Sequence, residues 1–220
     1  MIKAVIFDMD GLMFDTERLA LPCTAQAARE NGWQMEPEDV RAVIGCNFRS
    51  AEEHFRSVYG EGFDYAPVRE RALALMSEHI DREGIPLKAG LLHLLDYLRQ
   101  NNIRFTVATS SNEPTARRYF ESAGISGYFG EIMSGEKVER GKPDPQIYLR
   151  AAELLGVAAD ECVVLEDSLY GIESAYLAGM TPIMIPDLVE PTEGAKKMAY
   201  RVLGDLWEAK NVIEMLTEDK

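Results

Sequence analysis

The chain has 220 residues and a formal net charge of −14; 46% of the residues are hydrophobic and 27% charged. This is the composition of an ordinary soluble globular protein, long enough for one large domain or two small ones that need no disulfide or metal staple. The acidic balance argues against a nucleic-acid partner, and the lack of any apolar run of about 18 residues argues against a membrane span. Cys23, Cys46 and Cys162 are scattered with no CxxC pair, so a thiolate zinc site is not expected and reduced, buried thiols are. The N-terminus has no long apolar stretch or small-residue cleavage site, and a cytoplasmic location is the expectation.

Residues 2–7 form a short apolar run rich in Val, Ile and Phe, the pattern of a buried parallel strand. Residues 16–85 contain no such run. They read as helices over 17–31, with a bend expected at Pro22, then 37–44, 50–59 and 65–82, punctuated by Gly45, Gly60, Gly62 and Gly84. Leu91, Leu92, Leu94, Leu95 and Leu98 then make one apolar helical face. Further strands are expected at 103–108, 131–134, 162–165 and 181–185. Between them, Asn112 caps one helix and Ser168 another, and Asp144 followed by Pro145 marks a helix start. These helices end at Gly124, Gly156 and Gly179, glycine being suited to the position just past a helix. Alternating strand and helix implies an α/β, doubly wound, Rossmann-like parallel sheet. The inserted helices imply a separate small α-helical domain over 16–85, with the core formed by 1–15 and 86–220.

In such sheets ligands bind beyond the carboxyl ends of the strands. The polar residues that follow the strands are Asp8 and Asp10, then Thr109, Ser110 and Ser111, then Glu166, Asp167 and Ser168, with Lys142 just before the Asp144 start signal. Four carboxylates sharing one crevice cannot all ionise without compensation. Hard oxygen donors with no histidine or cysteine nearby suit Mg²⁺, which also favours a substrate phosphate. Thr109 and Ser110 offer hydroxyl and N–H donors to an anion and Lys142 a point charge. Carboxylates with metal on one side, and hydroxyls with lysine on the other, make a phosphate site.

Asp8-Met9-Asp10-Gly11, Val107-Ala108-Thr109-Ser110-Ser111-Asn112, Gly141-Lys142-Pro143-Asp144-Pro145 and Leu165-Glu166-Asp167-Ser168 occur in this order. The ordered set resembles the four motifs of the haloacid-dehalogenase (HAD) superfamily, and the helical insert resembles the cap of its β-phosphoglucomutase-like and phosphatase subfamily. The resemblance implies that Asp8 is a nucleophile forming an aspartyl phosphate and Asp10 a general acid and base. It implies Mg²⁺ on the Asp8 carboxylate, the Asp10 backbone carbonyl and Asp167, with Glu166 as a direct or outer ligand. Thr109, Ser110 and Lys142 would hold the transferring phosphoryl group.

Asp15 and Thr16 are read as a hinge and helix cap. Arg49 is read either as a substrate contact in the cap or as a surface charge, and His54, His79 and His93 as lying away from the chemistry. Asp10 argues against dehalogenation, for which the resemblance implies no second carboxylate. Sugar phosphomutases of this kind carry a histidine early in the cap, and residues 17–29 contain none. The expectation is therefore a phosphatase acting on small phosphomonoesters such as sugar phosphates. The alternatives are a β-phosphoglucomutase-type mutase and, more distantly, a non-catalytic phospho-sensing module. The resemblance implies a monomer whose partner is a small phosphorylated metabolite.

Overall fold

The computed structural model describes residues 1–44 and 48–218; Gly45 and Cys46 lie outside these. The chain forms two compact units, Met1–Asp15 with Pro86–Lys220, and Thr16–Ile85.

The first unit is built on a parallel sheet of six strands in the order β3-β2-β1-β4-β5-β6. These are β1 Ala4–Phe7, β2 Arg104–Thr109, β3 Met133–Ser134, β4 Cys162–Glu166, β5 Thr181–Met184 and β6 Arg201–Val202. All four residues of β1 and all five of β4 are buried, because helices cover both faces of the sheet and no side of a central strand meets water. Side chains alternate across it. Ala4, Ile6, Cys162 and Val164 share one core cluster with Ile147, Tyr148, Ala151 and Ala152, and Phe7 packs edge-on against Phe105. β1 pairs with β2 on one side and β4 on the other, with Phe7 level with both Val107 and Leu165. The strand order reverses there, and a crevice opens beyond the strand ends at such a point.

The helices of this unit are α5 Leu91–Gln100, α6 Glu113–Ser122, α7 Gln146–Leu155, α8 Leu169–Leu177, α9 Glu193–Met198 and α10 Leu206–Glu218. Asn112 caps α6 through Thr115 N, and Ser168 caps α8 through Gly171 N. The start of α7 differs slightly from expectation: Pro145 has helical backbone angles but precedes the first regular residue. Asp144 Oδ1 still accepts from Gln146 N at 3.0 Å, so it satisfies an N–H that the first turn leaves over. In α5 the expected apolar face is narrower. Leu91, Leu94, Leu95 and Leu98 are buried, but Leu92 is 45% exposed, because a residue one step from Leu91 turns away from the face that i, i+3 and i+4 share. Strand β6 was not foreseen; it has two residues, both exposed, and no apolar pattern marks it.

In the second unit, α1 Thr16–Glu30, α2 Pro37–Arg41, α3 Phe48–Tyr59 and α4 Tyr65–Glu83 follow one another. Helix α1 packs along α4, which buries Val68, Ala72, Met76 and Ile80 at fourfold spacing. Phe63 gathers Trp33, Phe55 and Tyr59 at centroid distances of 5.1, 5.4 and 5.5 Å. Helix α2 stops short of the expected 37–44, giving way to a turn after Arg41.

We expect Leu95→Ala to destabilise the protein by about 2–5 kcal/mol and Leu92→Ala by no more than about 0.5 kcal/mol. Urea unfolding of the two variants measures the difference, and equal losses would contradict the one-sided packing of α5.

Candidate active site

The crevice is built from residues that end strands. Asp8 follows β1 and its N–H donates to Leu165 O at 2.9 Å, which sets it level with the end of β4. Glu166 is the last residue of β4 and Thr109 the last of β2. Asp8, Thr109, Glu166 and Asp167 are buried. One carboxylate oxygen from each of Asp8, Glu166 and Asp167 lies within 4.8 Å of the others. Glu166 and Asp167 therefore serve one cluster although they are adjacent in sequence, since the strand ends between them and the regular alternation of faces stops.

Lys142 sits inside this cluster, its side chain 7% exposed. Its ammonium donates to Asp8 Oδ1, to Glu166 Oε1 at 2.6 Å and to Ala108 O at 3.3 Å. The sequence reading placed it with the hydroxyls, opposite the carboxylates. A buried ammonium needs counter-charge, and the carboxylates supply it. Burial alone would make Lys142 easier to deprotonate, but Asp8 and Glu166 outweigh it and hold the group well above its usual range. Burial likewise opposes ionisation of Glu166, yet Lys142 and bonds from the Ser168 N–H and the Tyr148 hydroxyl bring its carboxyl below the usual value. Asp8 goes the other way. Burial, with the nearby charge of Glu166, outweighs Lys142 and pushes it up to about 8.

Glu166 is saturated with donors. Oε1 accepts from Lys142 Nζ and, at 2.8 Å, from the Tyr148 hydroxyl. Oε2 accepts from Ser168 N at 2.8 Å and Ser168 Oγ at 2.9 Å. Asp10 Oδ2 accepts from Ser111 Oγ at 2.9 Å. Thr109 Oγ1 accepts from Ser111 N at 3.0 Å, which ties the hydroxyl to its own loop, and Ser110 is exposed. Arg49 pairs with Glu53 one helical turn on, its side chain 87% exposed. His54 contacts Phe55 in α3 and His93 lies against Trp207 at a tilt.

Two glycines make room for the carboxylates. Gly11 has φ +81°, and a Cβ there would overlap the Asp167 carboxylate; at Gly171 it would overlap Glu166. Gly11 lies within the first quoted motif and Gly171 three residues past the last, but only the close approach explains why no side chain fits. Sequence reasoning also missed Tyr148 and the bond from Ser111 to Asp10. A tyrosine at a core position is itself a signal, because a buried phenol needs a partner for its hydroxyl.

The donor set fits a small hard cation: three buried carboxylates, no histidine or thiolate among them, and a glycine cradle against Asp167. Residues 5–185 match the family profile of haloacid dehalogenase-like hydrolases. Hexitol phosphatase A of Escherichia coli is 35% identical over 192 residues, covering 83% of this chain and 82% of the relative. A phosphorylated carbohydrates phosphatase of Thermotoga maritima is 30% identical over 185 residues, covering 83% and 84%. Among solved structures, CbbY from Rhodobacter sphaeroides in complex with phosphate superposes with a TM-score of 0.76 at 26% identity, covering 94% of this chain and 96% of that one. The chain belongs to the haloacid dehalogenase-like hydrolase family. It is a hydrolase of the HAD type with the α/β, Rossmann-like fold of that family.

The raised Asp8 carries a consequence for the metal-free protein. An unfolded Asp8 loses its proton near 3.8, whereas the folded one keeps it up to about 8. Across that window the folded state binds more protons, so the Asp8 contribution to stability falls as pH rises. In a chelating buffer we expect Asp8→Asn to melt above wild type at pH 8, with the gap closing toward pH 4. Melting curves in which the variant gains nothing at pH 8 would contradict the burial argument.

Proposed function

We propose that the protein is a Mg²⁺-dependent phosphatase of small phosphomonoesters, sugar phosphates above all, working through an aspartyl phosphate on Asp8. One observation carries this reading: Asp8, the residue just after the central strand, is buried against a lysine and two further carboxylates in one cluster. Such a group is screened from water and flanked by one fixed positive charge. That suits an attacking oxygen whose target is a phosphoryl group. The names of the relatives, phosphatases of hexitols and of phosphorylated carbohydrates, support the substrate class.

Asp8 and Asp167 would hold the metal with the Asp10 backbone carbonyl, and Glu166 adjoins them. When bound, Mg²⁺ supplies positive charge that favours ionised Asp8 and offsets charge on the phosphoryl oxygens. Asp8 attacks phosphorus, and the bond from phosphorus to the ester oxygen breaks. Asp10 gives its proton to that leaving oxygen. Asp10, now a carboxylate, takes a proton from water; the hydroxide attacks phosphorus and Asp8 leaves unchanged. Lys142, Thr109 and the Ser110 amide bind the phosphoryl oxygens. Ser111, donating to Asp10, orients that carboxylate. In this reading Met1–Asp15 with Pro86–Lys220 is the catalytic core and Thr16–Ile85 the cap that selects the leaving group.

Phosphate release over a panel of hexitol, hexose and pentose phosphates tests the function, with conversion of glucose 1-phosphate to glucose 6-phosphate assayed alongside. We expect hydrolysis that stops on chelation and returns with Mg²⁺. Asp10→Asn should lower kcat by about 10²- to 10⁴-fold. Conversion of glucose 1-phosphate faster than phosphate release would replace hydrolysis by phosphoryl return to the sugar, and full activity in chelator would rule out the metal site.

A further inference from the structure

Tyr148 takes no part in the chemistry described above, yet it is wholly buried and touches two of its members. It lies on α7 with Ile147, Ala151 and Ala152 in one core cluster. Its hydroxyl donates to Glu166 Oε1 at 2.8 Å, and the Lys142 ammonium lies 4.9 Å from its ring centroid. A phenylalanine would fill the same space and offer Lys142 the same ring face. Only the hydroxyl separates the two residues, and burying it is costly unless it is bonded. The hydroxyl is bonded to Glu166 and also meets the Lys142 ammonium. It supplies the fourth donor to Glu166, after Lys142 on the same oxygen and the two groups of Ser168 on the other. An ionised carboxylate has about four acceptor positions, so Tyr148 completes the set. Without it Oε1 would keep one bond, to Lys142, and the carboxylate, still held at Oε2 by Ser168, could swing at its Oε1 end. Lys142 would then move with Glu166, and with Lys142 the charge that faces Asp8.

We propose that Tyr148 is a positioning residue: its hydroxyl locks Glu166, and its ring seats Lys142, so that Asp8, Asp167 and the lysine keep the one arrangement that accepts a divalent cation. The assignment concerns how the site is held. It rests on the Mg²⁺ site proposed above, and on phosphatase turnover only for its kinetic readout.

The test is Mg²⁺ binding to the substrate-free protein, measured by calorimetry on wild type and Tyr148→Phe. The ring and the packing stay; one donor goes. We expect Mg²⁺ affinity to fall roughly tenfold, the lower end of the loss seen when a ligand's outer partner is removed. Turnover of p-nitrophenyl phosphate at saturating Mg²⁺ should show a reduced kcat with KM little changed. A folded Tyr148→Phe protein that binds Mg²⁺ within twofold of wild type would overturn the proposal and leave Tyr148 as packing. If the variant does not fold, a crystal structure of the wild-type protein with Mg²⁺ and inorganic phosphate decides instead. The proposal requires the Tyr148 hydroxyl within hydrogen-bond reach of Glu166, and a separation beyond about 3.5 Å overturns it. Should wild type hydrolyse no phosphate ester at all, the function proposed above fails while the Mg²⁺ titration still reads the role of Tyr148.

Discussion

A lysine ammonium buried between two carboxylates is the constraint on which this site depends. Lys142 is desolvated against the ionised Glu166, with Asp8 as a second partner, and Glu166 would not stay ionised in its place without Lys142. The two acids do not share the lysine equally. Glu166 is fixed by donors on both oxygens and stays ionised. Asp8 gains less than its burial costs. The result is an asymmetric pair: one acid anchors the lysine, and the other is held ready to ionise when further positive charge arrives.

That asymmetry follows from the sheet. Asp8 and Glu166 stand at the ends of adjacent parallel strands whose registers coincide, so their separation is set by strand spacing rather than by loops. Lys142 enters from the loop ahead of α7. That loop is held by Gln146, whose side-chain oxygen accepts from Glu139 N at 2.9 Å and Arg140 N at 3.0 Å. Sites carried on rigid elements keep their geometry better than sites carried on loops. Here the loop that carries Lys142 is tied back to a helix. Gly11 and Gly171 complete the fit by leaving space where any side chain would strike a carboxylate.

The strands and the acids at their ends were legible in the sequence, because continuous Val-Ile-Leu runs ending in polar residues are what a buried parallel sheet requires. The caps at Asn112 and Ser168 were legible for the same local reason. Less visible was anything decided across the chain. Leu92 belongs by type to the leucine face but turns outward. The two residues of β6 join the sheet through pairing with Ile183 and Met184, with no hydropathy signal of their own. Lys142 reads as a phosphate-binding charge, whereas its bonds to Asp8 and Glu166 arise only when segments 134 and 24 residues apart meet. Tyr148 and Ser111 are partners of site residues, and partnership is a property of the fold.

The central claim is that Asp8 becomes phosphorylated during turnover. The most direct measurement uses Asp10→Asn, in which the water step lacks its base. The variant is mixed with Mg²⁺ and p-nitrophenyl phosphate, whose leaving group departs without a proton from residue 10, then quenched in acid within one turnover and digested for mass spectrometry. We expect the peptide containing Asp8 to gain one phosphoryl group, assigned to Asp8 by fragmentation, and an Asp8→Asn protein to gain none. Phosphate release by Asp8→Asn at the wild-type rate, with no phosphorylated peptide in either protein, would contradict the account.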